Sequence, residues 1–149
     1  MQSIIHSFKY AGMPRLAVAF GRQLGEEFAL ESKLIIPVPL HRTRRAERGY
    51  NQAEMLAKGI QERRGWQIVP ALRRTRATPS QTQLSVPERI ENMRGAFALT
   101  RHAADIQDKH ILLVDDVMTT GSTLASAAEA LLAARPKSIG TLTLAVAQK

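Results

Sequence analysis

Leu16, Phe20, Leu24 and Phe28 recur every four residues, one apolar stripe of a helix packed on a core. Pro14 suits its first turn, so a helix is expected from there through about Glu27. Leu34–Val38 (LIIPV) is a short apolar strand. Prolines on both sides of Val38 remove two ladder donors, so the strand should end there in a rigid loop, Pro39-Leu40-His41. Helical period returns over Gly49–Gly65, where Ala53, Leu56, Ala57 and Ile60 give the buried face. Asn51 with Glu54 three residues on forms a capping-box pattern, and Gly65 stops the helix. Trp66–Val69 reads as a strand ended by Pro70, its Trp a core residue.

Arg73–Ser85 (RRTRATPSQTQLS) is polar and basic and has no period, which predicts a long loop of the functional or disordered kind. Ser85-Val86-Pro87-Glu88 then caps a short helix ending at Gly95, and Ala96–Leu99 is a short strand. After a polar connection comes HILLVDDVMTTGST, His110–Thr123. A helix from about Ser122 to Ala134 buries Leu124, Ala127, Ala128 and Leu131, and Ile139–Val146 forms the last strand. Strand–helix alternation predicts an α/β fold with a mainly parallel twisted sheet flanked by helices. The 149 residues are expected to form one domain, 1–149.

Composition narrows the partners. No apolar run approaches the ~18 residues of a membrane span and no signal peptide is recognisable, so a cytoplasmic protein without membrane insertion is expected. There is no cysteine, hence no disulfide, thiol chemistry or thiolate metal site. The net charge of +8 favours anionic partners. Aromatic residues make up 5% of the chain, which leaves little for a base-stacking platform on single strands.

His110–Thr123 carries the densest chemistry. Four apolar residues, Ile111–Val114, run into Asp115 and Asp116, then into Thr119, Thr120, Gly121, Ser122 and Thr123 at a helix start. A hydroxyl-rich turn at a helix N-terminus suits a phosphate. Paired carboxylates suit sugar hydroxyls or a hydrated Mg²⁺. Side by side they describe a phosphorylated ribose. A second basic cluster, His41, Arg42, Arg44, Arg45 and Arg48, follows the first strand, where open α/β sheets bind ligands. Rival homes for the acid pair fail on what the chain lacks. There is no G-x-x-x-x-G-K-[ST], no G-x-G-x-x-G, and no Asp after Asp116 to serve as a receiver-domain acceptor.

V-D-D-V-x-T-T-G-x-T resembles the phosphoribosyl pyrophosphate (PRPP) motif of type I phosphoribosyltransferases. Beyond it the chain resembles the ComF/GntX family of competence-associated proteins. The matching residues are Phe8-Lys9-Tyr10, Pro37–His41, Arg48–Ala53, Thr78, Gln81, Leu84, Arg89, Asn92 and Arg94–Phe97, in family order. The resemblance implies a small hood over the sheet. It implies that Asp115 and Asp116 hold the ribose hydroxyls, near a Mg²⁺ that PRPP carries and that they contact indirectly. Thr119–Thr123 would cradle the 5′-phosphate, with Gly121 letting the backbone approach. Pro39, Leu40 and His41 would line a pyrophosphate loop, with Arg42, Arg44 and Arg45 as candidates for the leaving group. Lys9, Tyr10, Gln81, Arg89, Asn92 and Arg94 would belong to the hood and its covering loop.

Two departures from the family pattern stand out. Members commonly carry a four-cysteine zinc segment ahead of Phe-Lys-Tyr; without cysteine, no zinc is expected in this chain. Purine-specific transferases of this fold place an Asp where Thr119 stands here, so that base-directed role is missing. The implied partners are PRPP or a nucleotide. The competing reading is a non-catalytic factor handling single-stranded DNA with DNA-uptake proteins, and a homo-oligomer is a further option.

Overall fold

The computed structural model describes residues 14–27, 32–76 and 85–147. Six strands lie within them: β1 (Leu34–Pro37), β2 (Gln67–Ile68), β3 (Leu72–Arg74), β4 (Phe97–Leu99), β5 (His110–Met118) and β6 (Ser138–Val146). The main sheet is parallel throughout, in the order β2-β1-β5-β6, and β3 and β4 form a separate antiparallel ribbon. Central parallel strands are covered on both faces and read as unbroken apolar runs. Accordingly Ile35, Ile36 and Ile111–Val114 are all buried.

Among the described residues the α-helices are α1 (Pro14–Glu27), α2 (Arg42–Arg48), α3 (Gln52–Arg64), α4 (Val86–Met93) and α5 (Ser122–Leu132). Alternate strand residues face opposite layers. Ile36, Ile111 and Leu113 pack against Leu124, Ala127 and Leu131 of α5, with Leu72, Met93, Phe97 and Ile106 completing that core. Ile35, Leu112 and Val114 pack against Leu56, Ala57 and Ile60 of α3, with Phe20 and Leu24 of α1 half-buried outside them. The chain leaves β1 through α3 for β2 on one side, and leaves β5 through α5 for β6 on the other. Between β1 and β5 the winding direction reverses, and the crevice outside their carboxyl ends is where such sheets bind ligands.

The α1 stripe needs correction. Its buried residues are Ala17, Gly21 and Gly25, while Leu16 is 39% exposed and Phe28 lies outside the described residues. Small residues win because α1 and α3 touch backbone to backbone. A Cβ on Gly21 would drive into the Leu56 carbonyl, and one on Gly59 into the Val18 carbonyl.

Four other expectations shift. The basic run after β1 is helical from Arg42 to Arg48, begun by His41 and ended by Gly49 in the left-handed conformation, φ 77°. Arg73 and Arg74, placed in a loop by their polarity, belong to β3, which pairs Leu72↔Leu99 and Arg74↔Phe97. The polar connection contains a 3₁₀ helix, Arg101–Ile106, that buries Ala103 and Ile106. The predicted capping box at Asn51 is half formed. Asn51 Oδ1 accepts from the Ala53 N–H at 3.0 Å, but Glu54 pairs with Arg45 at 2.7 Å instead of reaching back. At Ser85 the box is complete, and the Ser85 N–H and hydroxyl hold the Glu88 carboxyl below its usual range. Among the described residues no helix is long and apolar enough to cross a membrane.

Candidate functional site

The site begins where two strands part company. β1 and β5 pair from Leu34↔Ile111 to Pro37↔Val114. One more bond follows, from the Val38 N–H to the Val114 carbonyl at 2.8 Å. Then β1 leaves through Pro39, while β5 continues to Met118 beside β6 alone, with Asp115↔Thr143 and Val117↔Ala145. The acid pair therefore sits on the strand and not in the following loop, at the notch that the departing β1 opens.

Both carboxylates are tied to their own backbone. Asp115 Oδ1 accepts from the Asp116 N–H at 2.9 Å, and Asp116 Oδ1 accepts from the Val117 N–H at 2.8 Å. Burial pushes the Asp115 carboxyl up to about 8, and the Asp116 charge beside it adds to the rise. The Asp116 N–H and the guanidinium of Arg74 oppose it.

Four residues past Met118 the chain enters α5. Gly121, the residue before the helix, has φ 76°, a left-handed backbone that glycine adopts without cost. Its carbonyl accepts from the Ala125 N–H at 2.8 Å, and Thr120 Oγ1 lies 3.0 Å from Ser122 Oγ. A Cβ at Gly121 would meet only the Met118 sulfur, at 3.8 Å. Within the protein the glycine is thus required by backbone conformation rather than by space. Ser122 is buried, Thr119 is exposed, and Thr120, Gly121 and Thr123 are half-buried. The first N–H groups of α5 and these hydroxyls are gathered at one helix N-terminus, where donors without intrahelical partners suit an anion.

Across the notch, Pro39, Leu40 and His41 are half-buried. Asn51 Nδ2 donates to the Val38 carbonyl at 2.9 Å and so fixes the start of this loop to α3. The arginines of α2 diverge. Arg42 is exposed, Arg45 is spent on Glu54 at the surface, and Arg44 is half-buried and lies within electrostatic reach of Arg74. Asn92 and Arg94 lie at the end of α4, where their carbonyls accept from Arg76 at 3.1 and 2.8 Å. Arg94 itself is exposed, 3.4 Å from Glu91. Arg89 is on α4; Lys9, Tyr10 and Gln81 lie outside the described residues.

Sequence reasoning missed Arg74 and Asn51. Arg74 lies over the Phe97 ring from β3 and acts electrostatically on Asp115, and the signal for it is the alternation Leu72, Arg74 after the apolar Val69–Leu72 run. The spacing of Asn51 announces a cap and its place in the Arg48–Ala53 match a family position, but neither announces a tether thirteen residues back. As for a metal, two carboxylates with one oxygen each engaged by backbone suit a hydrated Mg²⁺ that takes its other ligands from phosphate and water. Among the described residues no group of three or more His, Asp or Glu is placed to hold a metal alone.

Comparison with known proteins agrees with this geometry. The phosphoribosyl transferase domain family matches residues 15–149. Competence protein F of Haemophilus influenzae is 40% identical over 94 residues, 60% of this chain and 40% of that protein. DNA utilization protein YhgH of Salmonella typhi is 33% identical over 139 residues, 87% of this chain and 60% of that one. The chain thus spans 40% and 60% of the lengths of these two relatives. Among solved structures, glutamine PRPP amidotransferase of B. subtilis shares the fold, with a TM-score of 0.60 and 20% identity over 85% of this chain and 25% of that chain. A parallel sheet ending in an acid pair, a hydroxyl-rich turn after it and a match over nearly the whole chain have one conclusion: the protein belongs to the phosphoribosyl transferase domain family, in its ComF-like branch with competence protein F and YhgH.

Proposed function

We propose that this chain binds the phosphoribosyl group of PRPP or of a nucleotide, with Mg²⁺ carried by the ligand's pyrophosphate. The observation that carries the reading is the succession of the Asp115–Asp116 pair at the notch and the left-handed Gly121 turn opening α5. Thr119–Thr123 would hold the 5′-phosphate and the two acids the ribose hydroxyls. Three charge-assisted hydrogen bonds, each of about 1.5–3 kcal/mol, by themselves approach the ~8 kcal/mol of a micromolar ligand. Catalysis would be displacement at ribose C1, pyrophosphate leaving as a nitrogen attacks. Asp116, joined by Asp115 wherever that carboxyl has given up its proton, would offset positive charge on the ring while Mg²⁺ and arginines would stabilise the leaving group.

The test is thermal. PRPP with Mg²⁺ raises the melting temperature of the native protein, and Gly121→Val abolishes the rise. An unmoved melting temperature in the native protein removes the assignment. Repeating the measurement with a panel of bases identifies the acceptor.

A second reading is favoured by the names of the relatives, competence protein F and DNA utilization protein, together with the net charge of +8. On it the fold handles single-stranded DNA without turnover. It predicts steeply salt-dependent binding of single strands that survives Asp115→Asn/Asp116→Asn, whereas the first reading predicts that this double substitution removes PRPP binding.

A further inference from the structure

The two edges of the main sheet differ. β2 is two residues long and Pro70 follows it, so that edge offers few unpaired main-chain groups. β6 is nine residues long and has no charged residue and no proline. Its register with β5 keeps one offset from His110↔Ser138 to Met118↔Val146, so it has no bulge either. None of its residues is buried, and Val146 is 53% exposed. An edge strand of this length is normally blunted by one of those devices or covered. Among the described residues no strand pairs with the outer side of β6.

Alternate residues of a parallel strand turn their N–H and C=O groups to opposite neighbours. The Ala147 N–H donates to the Met118 carbonyl at 2.9 Å, so the odd-numbered residues of β6 face β5. Ser138, Gly140, Leu142, Leu144 and Val146 therefore turn theirs outward. Gly140 is a second sign. Its φ is not left-handed, and a Cβ there would meet nothing nearer than 3.7 Å, so one copy of the fold does not require glycine. Glycine inside a strand weakens it and marks places where another backbone comes close.

We propose that β6 is a self-association edge. Two copies pair antiparallel along it about a two-fold axis at Leu142, giving one sheet in the order β2-β1-β5-β6-β6-β5-β1-β2. Length, shape and charge all favour a second copy as the occupant. Leu142 is the midpoint of β6, so an axis there pairs the strand from end to end. Large side chains then meet small ones: Leu144 lies opposite the second copy's Gly140, Val146 opposite its Ser138 and Ile139 opposite its Ala145. Thr141 lies opposite its Thr143, a favourable cross-strand pair. The net charge of +8 resists contact between copies elsewhere, whereas Ser138–Val146 has no charge to repel a copy and none to recruit an acidic or basic strand. The contact is isologous and leaves only the short β2 edges outermost, so it stops at a dimer. It is independent of the phosphoribosyl reading.

Sedimentation velocity of the full chain, from micromolar to sub-millimolar concentrations, reads the mass. The native protein is expected to pass from one copy to two. Thr141→Lys/Val146→Lys changes two exposed positions, sets lysines along the shared edge and should raise the dissociation constant at least about tenfold. The absence of cysteine allows a test of register. Leu142→Cys puts two thiols at the axis, where hydrogen-bonded antiparallel partners have Cα atoms about 5.5 Å apart, within the ~4.4–6.8 Å that a disulfide spans. Val146→Cys is the more exposed, but its two thiols stand about 27 Å apart. Mild oxidation should link Leu142→Cys into a covalent dimer and leave Val146→Cys single. A native chain that stays monomeric at every concentration overturns the proposal and gives the edge to a foreign strand or to another segment of this chain. A dimer that tolerates the two lysines, or that links faster through Val146→Cys than through Leu142→Cys, overturns it by placing the contact elsewhere. Should the lysine variant fail to fold, the two cysteine variants decide.

Discussion

The N–H of Val38 donates to the carbonyl of Val114 at 2.8 Å, and this bond is the last rung between β1 and β5. One residue further on each strand, the chains separate around Pro39 and Asp115. The position of the acid pair is thus decided by where a proline withdraws a donor.

Asp115 should make stability depend on pH. Its carboxyl keeps its proton up to about 8 in the fold, whereas an unfolded aspartate loses it near 3.8. Between those values the folded chain binds more protons than the unfolded one, so stability falls as pH rises through the window and the loss is complete above about 8. Asp115→Asn removes the titrating group and keeps the acceptor for the Asp116 N–H. It should gain on the native protein as pH goes up, by about 1–3 kcal/mol at the alkaline end. Thermal melts at a series of pH values check this; a difference that stays constant with pH contradicts the burial of this carboxyl.

The α1–α3 crossing should discriminate between glycines. Gly59→Ala forces its new methyl into the Val18 carbonyl and should cost at least about 1–3 kcal/mol. At Gly25 the Cβ would come no nearer than 3.3 Å to its closest neighbour, the Cβ of Arg63, so the helices need part by only a few tenths of an ångström and Gly25→Ala should cost markedly less. Urea unfolding of the two variants measures the difference, and equal midpoints would refute the backbone contact.

Asn51 should matter twice. Its Oδ1 caps α3 at Ala53, and its Nδ2 holds the Val38 carbonyl. Asn51→Ala loses both, about 1–2 kcal/mol or somewhat more. Asn51→Asp keeps the cap and sets a carboxylate oxygen against the Val38 carbonyl. Denaturant melts should rank Asn51→Asp below the native protein at neutral pH; a variant as stable as native would show that the tether contributes nothing.

Legibility followed length of pattern. The α/β class, the parallel sheet, the helices at residues 14–27, 52–64 and 122–132 and the acid pair with its turn could all be read from apolar period, capping residues and one dense motif. Two kinds of feature escaped. Polar segments conceal structure when their stability is tertiary: β3 exists because Leu72 is buried and β4 pairs with it, and α2 has no buried residue at all. Contacts made by small residues escape too, since a search for large apolar stripes finds Leu16 and passes over Gly21. At the site the acids and the turn that opens α5 were legible, while the placement of Arg74 on Phe97 and the Asn51 tether depend on contacts between distant segments.

The two carboxylates have a consequence for the sheet itself. Past Val114, β5 has lost its β1 neighbour, and a bare strand edge there would offer donors to any passing chain. The N–H groups of Asp116 and Val117 are instead taken up by the carboxylates of Asp115 and Asp116, each one residue back. The strand carries its own substitute for the missing partner. Replacing either acid with alanine would strip a main-chain donor of its acceptor, while asparagine keeps one in place. The residues assigned to a sugar therefore also serve as the hem of the sheet.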